Sequence, residues 1–406
     1  MITETTKKPL YEETSLKNKL DEIALFFLTF TDYSHPSSIM GGDLGVAIFL
    51  SKYGKYAQDE QYIDKAIEIV SNCFDFVEKQ FVPGSFCNGL AGVGWSLRHM
   101  ISNGLIEGDA DLLTKGLENI IYQNSLQFLG KGEYDYMHMG SGGLLYALEA
   151  SNDQTTAYLE KAVITLSKTA KQSGDLCFWQ HDPSGRIAHM TTSNPSYNLG
   201  LSHGIPSLIV LLSHIYEAGH AMNECKKLVR NSINWLLANK LPDGYNSIYA
   251  SMVSEGRPNI ASRLGWCYGD PGIAMALLQA GSIFNEPLWT KEGTELLLHS
   301  AQRRDLVQNM IRDATICHGT SGLAQIFYRG WLQTQEPLLL STSNFWLDQT
   351  LQMANRPQGF CGYQASRRDG HENVYSVLEG IAGIGLVFLN RLEEDLPTWD
   401  RMLLIS

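Results

Sequence analysis

Seven times along this 406-residue chain a tight glycine turn is followed at once by an apolar helical stretch. The turns are Gly42-Asp43-Leu44-Gly45, Gly89-Leu90-Ala91-Gly92, Gly140-Ser141-Gly142-Gly143, Gly204-Ile205-Pro206-Ser207, Gly269-Asp270-Pro271-Gly272, Gly319-Thr320-Ser321-Gly322 and Gly380-Ile381-Ala382-Gly383, at spacings of 47, 51, 64, 65, 50 and 61 residues. Self-similarity at such a period marks a repeat architecture, in which each unit buries its apolar face against its neighbours. Behind the turns, Val46 to Leu50, Val93 to Leu97 and Ile384 to Leu389 are apolar on nearly every side, as helices enclosed on most faces must be. Between them, Tyr62 to Val77 and Lys226 to Leu237 place apolar residues three and four apart among charges, the pattern of an outer helix with one wet face.

Each repeat therefore reads as a helical hairpin. An open stack of seven would need polar end repeats, and none is visible, so closure is expected: an all-α chain, an α/α toroid of seven hairpins, forming one domain over residues 1–406. Glycine at the turns is expected to supply positive φ and a close helix start, and all seven turns then lie at one end of the ring. The third turn also reads one residue earlier, with Met139 in the first glycine position. In the fourth, Ser207 replaces the closing glycine after Pro206, which alters how that helix begins. Segments 175–198 and 242–258, rich in Gly, Pro, Ser and Asn, are expected as long loops over the ring mouth.

The chain is 44% hydrophobic and 18% charged, below the roughly 25% charged residues of average domains, in keeping with extensive burial. A net charge of −12 and the lack of any Lys/Arg-rich run exclude nonspecific nucleic-acid binding. The first apolar run, Ile23 to Phe30, is far short of the roughly 20 residues that span a bilayer, and no signal peptide is visible. Seven cysteines, an odd number, do not read as a disulfide framework. The expected location is cytoplasmic, with the inner membrane face reached through partners.

Two motifs carry the chemistry: Trp266-Cys267-Tyr268-Gly269 and Cys317-His318-Gly319, their cysteines 50 residues apart. Two thiolates and an imidazole supply three ligands of a tetrahedral Zn²⁺, and three protein ligands leave a position open for a reactant. Two other readings stay open: small packing cysteines beside tight turns, or a closed structural zinc with His203 as fourth ligand. Cys87 holds the same phase before Gly89 and is expected to face the mouth across the cavity, with a packing role favoured. His181, Asp182 and His189 lack ligand spacing and are read as solvent-facing.

With the Gly200-Leu201-Ser202-His203-Gly204 element, these motifs and the phased turns resemble the lanthionine synthetase C-like family over almost the whole chain. The resemblance implies a stand-alone, zinc-dependent lanthipeptide cyclase, with Cys267, Cys317 and His318 as ligands and His203, Arg263 and Asp135 as the catalytic surround. Its substrate would be a dehydrated ribosomal precursor peptide, with a separate dehydratase and a transporter as further partners. Peptide cysteine thiolates would add to dehydroalanine or dehydrobutyrine, forming (methyl)lanthionine thioethers. Zinc would ionise a thiol whose ordinary pKa is about 8.5. His203 is the candidate proton donor to the resulting enolate. Arg263 would stabilise that charge or orient Asp135, and Asp135 would fix the His203 tautomer or deprotonate the thiol. His138 shares the Asp135 role if the third turn shifts by one. Tyr268 would hydrogen-bond a metal-bound sulfur. Rival readings are addition of glutathione or another small thiol to dehydroamino acids, a catalytically silent peptide-binding scaffold, and glycoside hydrolysis from Asp43, Asp270 and Glu379.

Overall fold

The computed structural model describes residues 13–150, 152–180, 195–393 and 395–406. Among them, the helices are α1 (Glu13–Thr29), α2 (Asp43–Ala57), α3 (Glu60–Lys79), α4 (Leu90–Ser102), the short α5 (Ala110–Thr114), α6 (Leu117–Gly130), α7 (Gly142–Ala150) and α8 (Asp153–Thr169). They continue with α9 (Ile205–Glu217), α10 (Met222–Ala238), α11 (Asp270–Ile283), α12 (Pro287–Ala301), α13 (Thr320–Thr334), α14 (Pro337–Gln352) and α15 (Ile381–Leu392). The seven that follow glycine turns, α2, α4, α7, α9, α11, α13 and α15, each pack on the next, and α15 packs on α2. The ring is closed. In α11 every residue from Asp270 to Gly281 is buried, whereas α3 buries Tyr62, Ala66, Ile69, Val70 and Cys73 along one stripe. The outer layer is α3, α6, α8, α10, α12, α14 and α1, so the hairpin of α15 is completed from the other end of the sequence by α1.

Closure is also drawn in hydrogen bonds at the turn end. Met40 N donates to Cys87 O, Cys87 N to Met137 O, Cys267 N to Cys317 O at 3.1 Å, Cys317 N to Leu378 O at 2.9 Å, and Leu378 N to Met40 O at 2.9 Å. Ser202 Oγ donates to Cys267 O at 3.2 Å. These residues stand two before the turn glycine in each repeat, and Met137 among them settles the register of the third turn. Gly142, not Gly143, lies against the carbonyl six residues back (Tyr136), as Gly92 does against Phe86 and Gly322 against Ile316. Met139 therefore takes the first glycine position.

Glycine serves close approach more than positive φ, which corrects the sequence expectation. Gly89, Gly204 and Gly319 have φ of −147°, −117° and −111°. A Cβ on Gly89 would sit 2.2 Å from Pro83 O, because the loop folds back so that Leu90 N can donate to that carbonyl. Gly269 differs, with φ of +133° at the turn that carries Cys267.

Three two-stranded antiparallel sheets add strand to the helical ring: β1 (Lys171–Ser173) with β2 (Leu176–Phe178), β3 (Ser196–Asn198) with β4 (Met252–Ser254), and β5 (Ala365–Arg367) with β6 (Gly370–Glu372). The β3–β4 pair joins the two long segments, 175–198 and 242–258, to each other. His181, Asp182 and His189 lie outside the described residues.

The ring interior is filled by residues 399–405, which begin as a 3-10 helix, Trp399–Leu403, and are all buried except Arg401. Asp400, fully buried, accepts from Gln325 Nε2 and Arg329 Nε, both at 2.6 Å. Tyr136 OH donates to Met402 O at 2.7 Å, Trp266 Nε1 to Leu403 O at 2.8 Å, and Gln279 Nε2 to Leu404 O at 2.9 Å. No helix among the described residues is long and apolar enough to cross a membrane.

Candidate functional site

Each turn presents three successive residues in fixed roles. Three before the glycine position stand Ile39, Phe86, Tyr136, Leu201, Trp266, Ile316 and Val377, all at 0% exposure. Two before it come the residues of the hydrogen-bonded series that runs from Ser202 round to Met137. One before it stand Gly41, Asn88, His138, His203, Tyr268, His318 and Glu379, most of them less enclosed. Polar chemistry is thus gathered on one rim above an apolar floor.

Cys267, Cys317 and His318 come together on two adjacent turns, their donor atoms all within 4.8 Å of one another. The Cys267 N–H···O Cys317 bond fixes the backbones that carry them. Hydrogen bonding to Cys317 holds the Cys267 thiol well below its ordinary value, aided by His318 and the Arg263 charge, and the same contact pushes Cys317 up. Burial acts to lower the His318 imidazole, but contact with Cys267 and the charge of Asp313 outweigh it and raise it. Two soft sulfurs and an imidazole converging in this way fit a Zn²⁺ ion. Behind them, Asp313 stands 3.9 Å from His318 Nε2, its own oxygens held by Thr315 N, Thr315 Oγ1 and Ser366 N. At that distance the carboxylate acts on the imidazole through its charge, which favours the protonated ring and raises its basicity. The sequence reading missed Asp313; its position five residues before His318 was the available signal.

His203 is not part of this three-residue group. Its Nδ1 lies 2.7 Å from Asp135 Oδ2, across the junction between the third and fourth repeats. Asp135 Oδ1 accepts from Met137 N at 2.8 Å and His138 N at 2.9 Å, so the carboxylate is fixed from both sides. Burial alone would raise this carboxyl; the bond to His203, the His203 and His138 charges and the His138 N–H overcome that and hold it below its ordinary value. The His138 ring lies over His203 at 5.7 Å between centroids, tilted by 21°. Tyr268 flanks His203 on another side at 6.1 Å and accepts from Asn198 Nδ2 at 3.1 Å. Burial and the neighbouring Cys267, Asp135 and Cys317 charges push its phenol up to about 12, so it remains a neutral donor. Arg263 is half-buried, its charge felt by both thiols and by His318, and among the described residues its guanidinium has no ion-pair partner.

Cys87 is bonded through its backbone to Met40 and Met137 and is 8% exposed, outside the three-residue group. The turn carboxylates are engaged elsewhere: Asp43 with Tyr375 OH at 2.7 Å, Asp270 with Arg303 at 3.2 Å, and Glu379 with Arg367 at 3.0 Å.

Residues 33–404 match the family described as lanthionine synthetase C-like protein. The chain belongs to the lanthionine synthetase C-like family. Within it, the nisin biosynthesis protein NisC of Lactococcus lactis subsp. lactis is 25% identical over 369 residues, 85% of this chain and 82% of that one. Glutathione S-transferase LANCL1 of Danio rerio is 21% identical over 338 residues, 80% of this chain and 77% of that one. Among solved structures, nisin cyclase superposes with a TM-score of 0.77 at 19% identity, covering 97% of this chain and 98% of its own. That likeness shows the toroid fold.

Proposed function

We propose that this lanthionine synthetase C-like chain is a zinc-dependent cyclase that forms (methyl)lanthionine thioethers in a dehydrated ribosomal precursor peptide. The observation that carries the reading is the placement of two unlike groups on one rim: a Cys267–Cys317–His318 metal-ligand set and an Asp135–His203 proton-handling pair, with Tyr268 between them. Similarity to NisC supports a peptide substrate. Bound to these three side chains, Zn²⁺ would supply the charge that ionises an incoming cysteine thiol at neutral pH.

In the overall reaction, the peptide thiol gives up its proton, its sulfur bonds to the β-carbon of a dehydroalanine or dehydrobutyrine, the C=C electron pair passes toward the adjoining carbonyl, and one proton returns to the α-carbon, so that none is gained or lost. His203, held by Asp135 in one orientation, delivers that proton. Arg263 faces the same rim as a cation and stabilises charge on the carbonyl oxygen. Tyr268 orients the sulfur through its neutral hydroxyl. The Asp135 carboxylate keeps the His203 Nδ1 side protonated, leaving Nε2 for the substrate. A separate dehydratase would supply the alkene, a transporter would take the product, and the work would be cytoplasmic.

The LANCL1 similarity favours a second reading, addition of glutathione to dehydroamino acids, with the same residues in the same roles. Elemental mass spectrometry on protein purified under reducing conditions should find about one zinc per chain, lost in Cys267→Ala. Incubating dehydrated, cysteine-bearing peptides with and without glutathione then separates the readings. Loss of free thiol without mass change marks cyclisation, and a glutathione mass increment marks the alternative. Absence of zinc after supplementation, or neither product, would refute both.

A further inference from the structure

Arg303 lies just beyond α12, on the outer side of the metal-bearing repeats, and is 5% exposed. Its guanidinium donates in three directions: Nε to Asn309 Oδ1 at 2.9 Å, Nη1 to Asp270 Oδ2 at 3.2 Å, and Nη2 to Ser262 O at 3.0 Å. Each acceptor belongs to a segment bordering the candidate site. Ser262 immediately precedes Arg263, and Asn309 O accepts from Leu264 N, the residue that follows it, at 3.2 Å. Asp270 opens α11 three residues after Cys267 and accepts from Ile248 N at 2.9 Å and Tyr249 N at 3.0 Å, drawing in the long mouth loop. That loop returns a bond of its own, since Ser247 Oγ accepts from Ser262 N at 2.8 Å. The main chain on both sides of Arg263 is therefore tied to one buried network.

We infer that Arg303 is a positioning residue, fixing the backbone around Arg263 so that this guanidinium stays over the Cys267–Cys317 side of the rim. The inference rests on the role given to Arg263 in the proposed function. Stability alone is a poor explanation for such a group, because a buried ion pair contributes little that well-packed apolar side chains would not. A planar fork of fixed donors, in contrast, holds three segments at once, which a lysine with a single flexible ammonium cannot reproduce. Arg303 touches neither substrate nor metal ligand; it acts through Ser262, Asn309 and Asp270.

The test compares Arg303→Lys, Ser247→Ala, Arg263→Gln and the Arg303→Lys/Arg263→Gln pair in the full, zinc-loaded chain. Arg303→Lys retains the charge facing Asp270, and Ser247→Ala removes only the hydroxyl that accepts from Ser262 N and donates to Tyr249 O at 2.8 Å, so the second variant serves if the first fails to fold. In the variants, amide exchange at Ser262, Leu264, Ile248 and Tyr249 is expected to quicken about tenfold or more, with the interior of α11 unchanged. Zinc per chain stays the same, KM for the dehydrated peptide stays within about twofold, and kcat falls about 10- to 100-fold for Arg303→Lys, as a misplaced catalytic cation requires. Added to Arg263→Gln, the lysine variant causes no further loss of kcat. Unchanged exchange at these four amides, full kcat in folded Arg303→Lys, or additive losses in the double variant would each overturn the inference. An inactive wild-type chain would instead count against the proposed function, and the exchange measurement would still decide this one.

Discussion

Adding one methyl group to Gly322 should loosen the metal centre without touching a ligand. A Cβ built there would lie 1.9 Å from the Ile316 carbonyl oxygen, 2.8 Å from its carbon and 3.0 Å from its Cα. All three neighbours are backbone, so no rotamer change relieves the overlap. Real Cβ contacts stop near 3.0 Å, so loop and helix must part by at least about 1 Å in an interior that is close-packed. The displaced residue immediately precedes Cys317 and His318. Metal–ligand distances tolerate only about ±0.2 Å, so the required shift is roughly fivefold beyond what coordination absorbs. Gly322→Ala is expected to bind Zn²⁺ about 10- to 100-fold more weakly, roughly 1.4–2.8 kcal/mol. Chelator competition on reduced protein reads this directly. Gly130→Ala, where a Cβ meets nothing within 4 Å, is the control expected to match wild type. A folded Gly322→Ala chain with zinc affinity within about twofold of wild type would refute the argument that the closing glycines set the ligand positions.

Asp135→Asn should retain zinc and lose about 10²- to 10⁴-fold in cyclisation rate, because the amide no longer fixes the charged form and orientation of His203; peptide mass and free-thiol assays check it. Since the native Asp135 carboxyl lies below its ordinary value, it stabilises the fold above the unfolded carboxyl pKa of about 4 and ceases to do so as pH falls through the native value. The thermal midpoint advantage of wild type over Asp135→Asn should therefore shrink on acidification below about pH 4, measured by calorimetry. Asp313→Ala should weaken zinc binding about tenfold or more, through loss of the His318 support, with the fold unchanged by circular dichroism. Asp400→Asn leaves Arg329 buried without its charge partner and should cost about 3–5 kcal/mol in denaturant unfolding, with Asp400→Leu/Arg329→Met recovering much of it.

The ring was legible because its signal is periodic. Seven turns followed by all-round apolar segments admit few other arrangements, and closure by α15 on α2 follows once no polar end repeat exists. The metal set was legible because its two cysteines sit at one phase of two consecutive repeats, with His318 directly after the second. Asp135 and His203 are 68 residues apart, and residue spacing alone gave no sign that they meet; family resemblance supplied that pairing. The third-turn register was ambiguous because both Gly140-Ser141-Gly142-Gly143 and its one-residue shift satisfy the turn pattern, and it was decided by which glycine faces a carbonyl. Arg303 and residues 399–405 were invisible for a different reason. Each acts by bonding many distant segments at once, which leaves no local period in the sequence.

Residues 399–405, buried apart from Arg401, give the site a second face. Trp266, next to Cys267, hangs by its indole N–H from Leu403 O, while Asp400 and Arg401 are held from elsewhere in the ring by Arg329 and Glu149. A disturbance at Arg329 thus has a short covalent path, Asp400 to Leu403, to the turn bearing a metal ligand. Screens for altered activity should accordingly recover substitutions deep in the ring interior alongside rim substitutions. The two classes separate by unfolding free energy, since an interior lesion lowers stability and turnover together and a rim lesion lowers turnover alone.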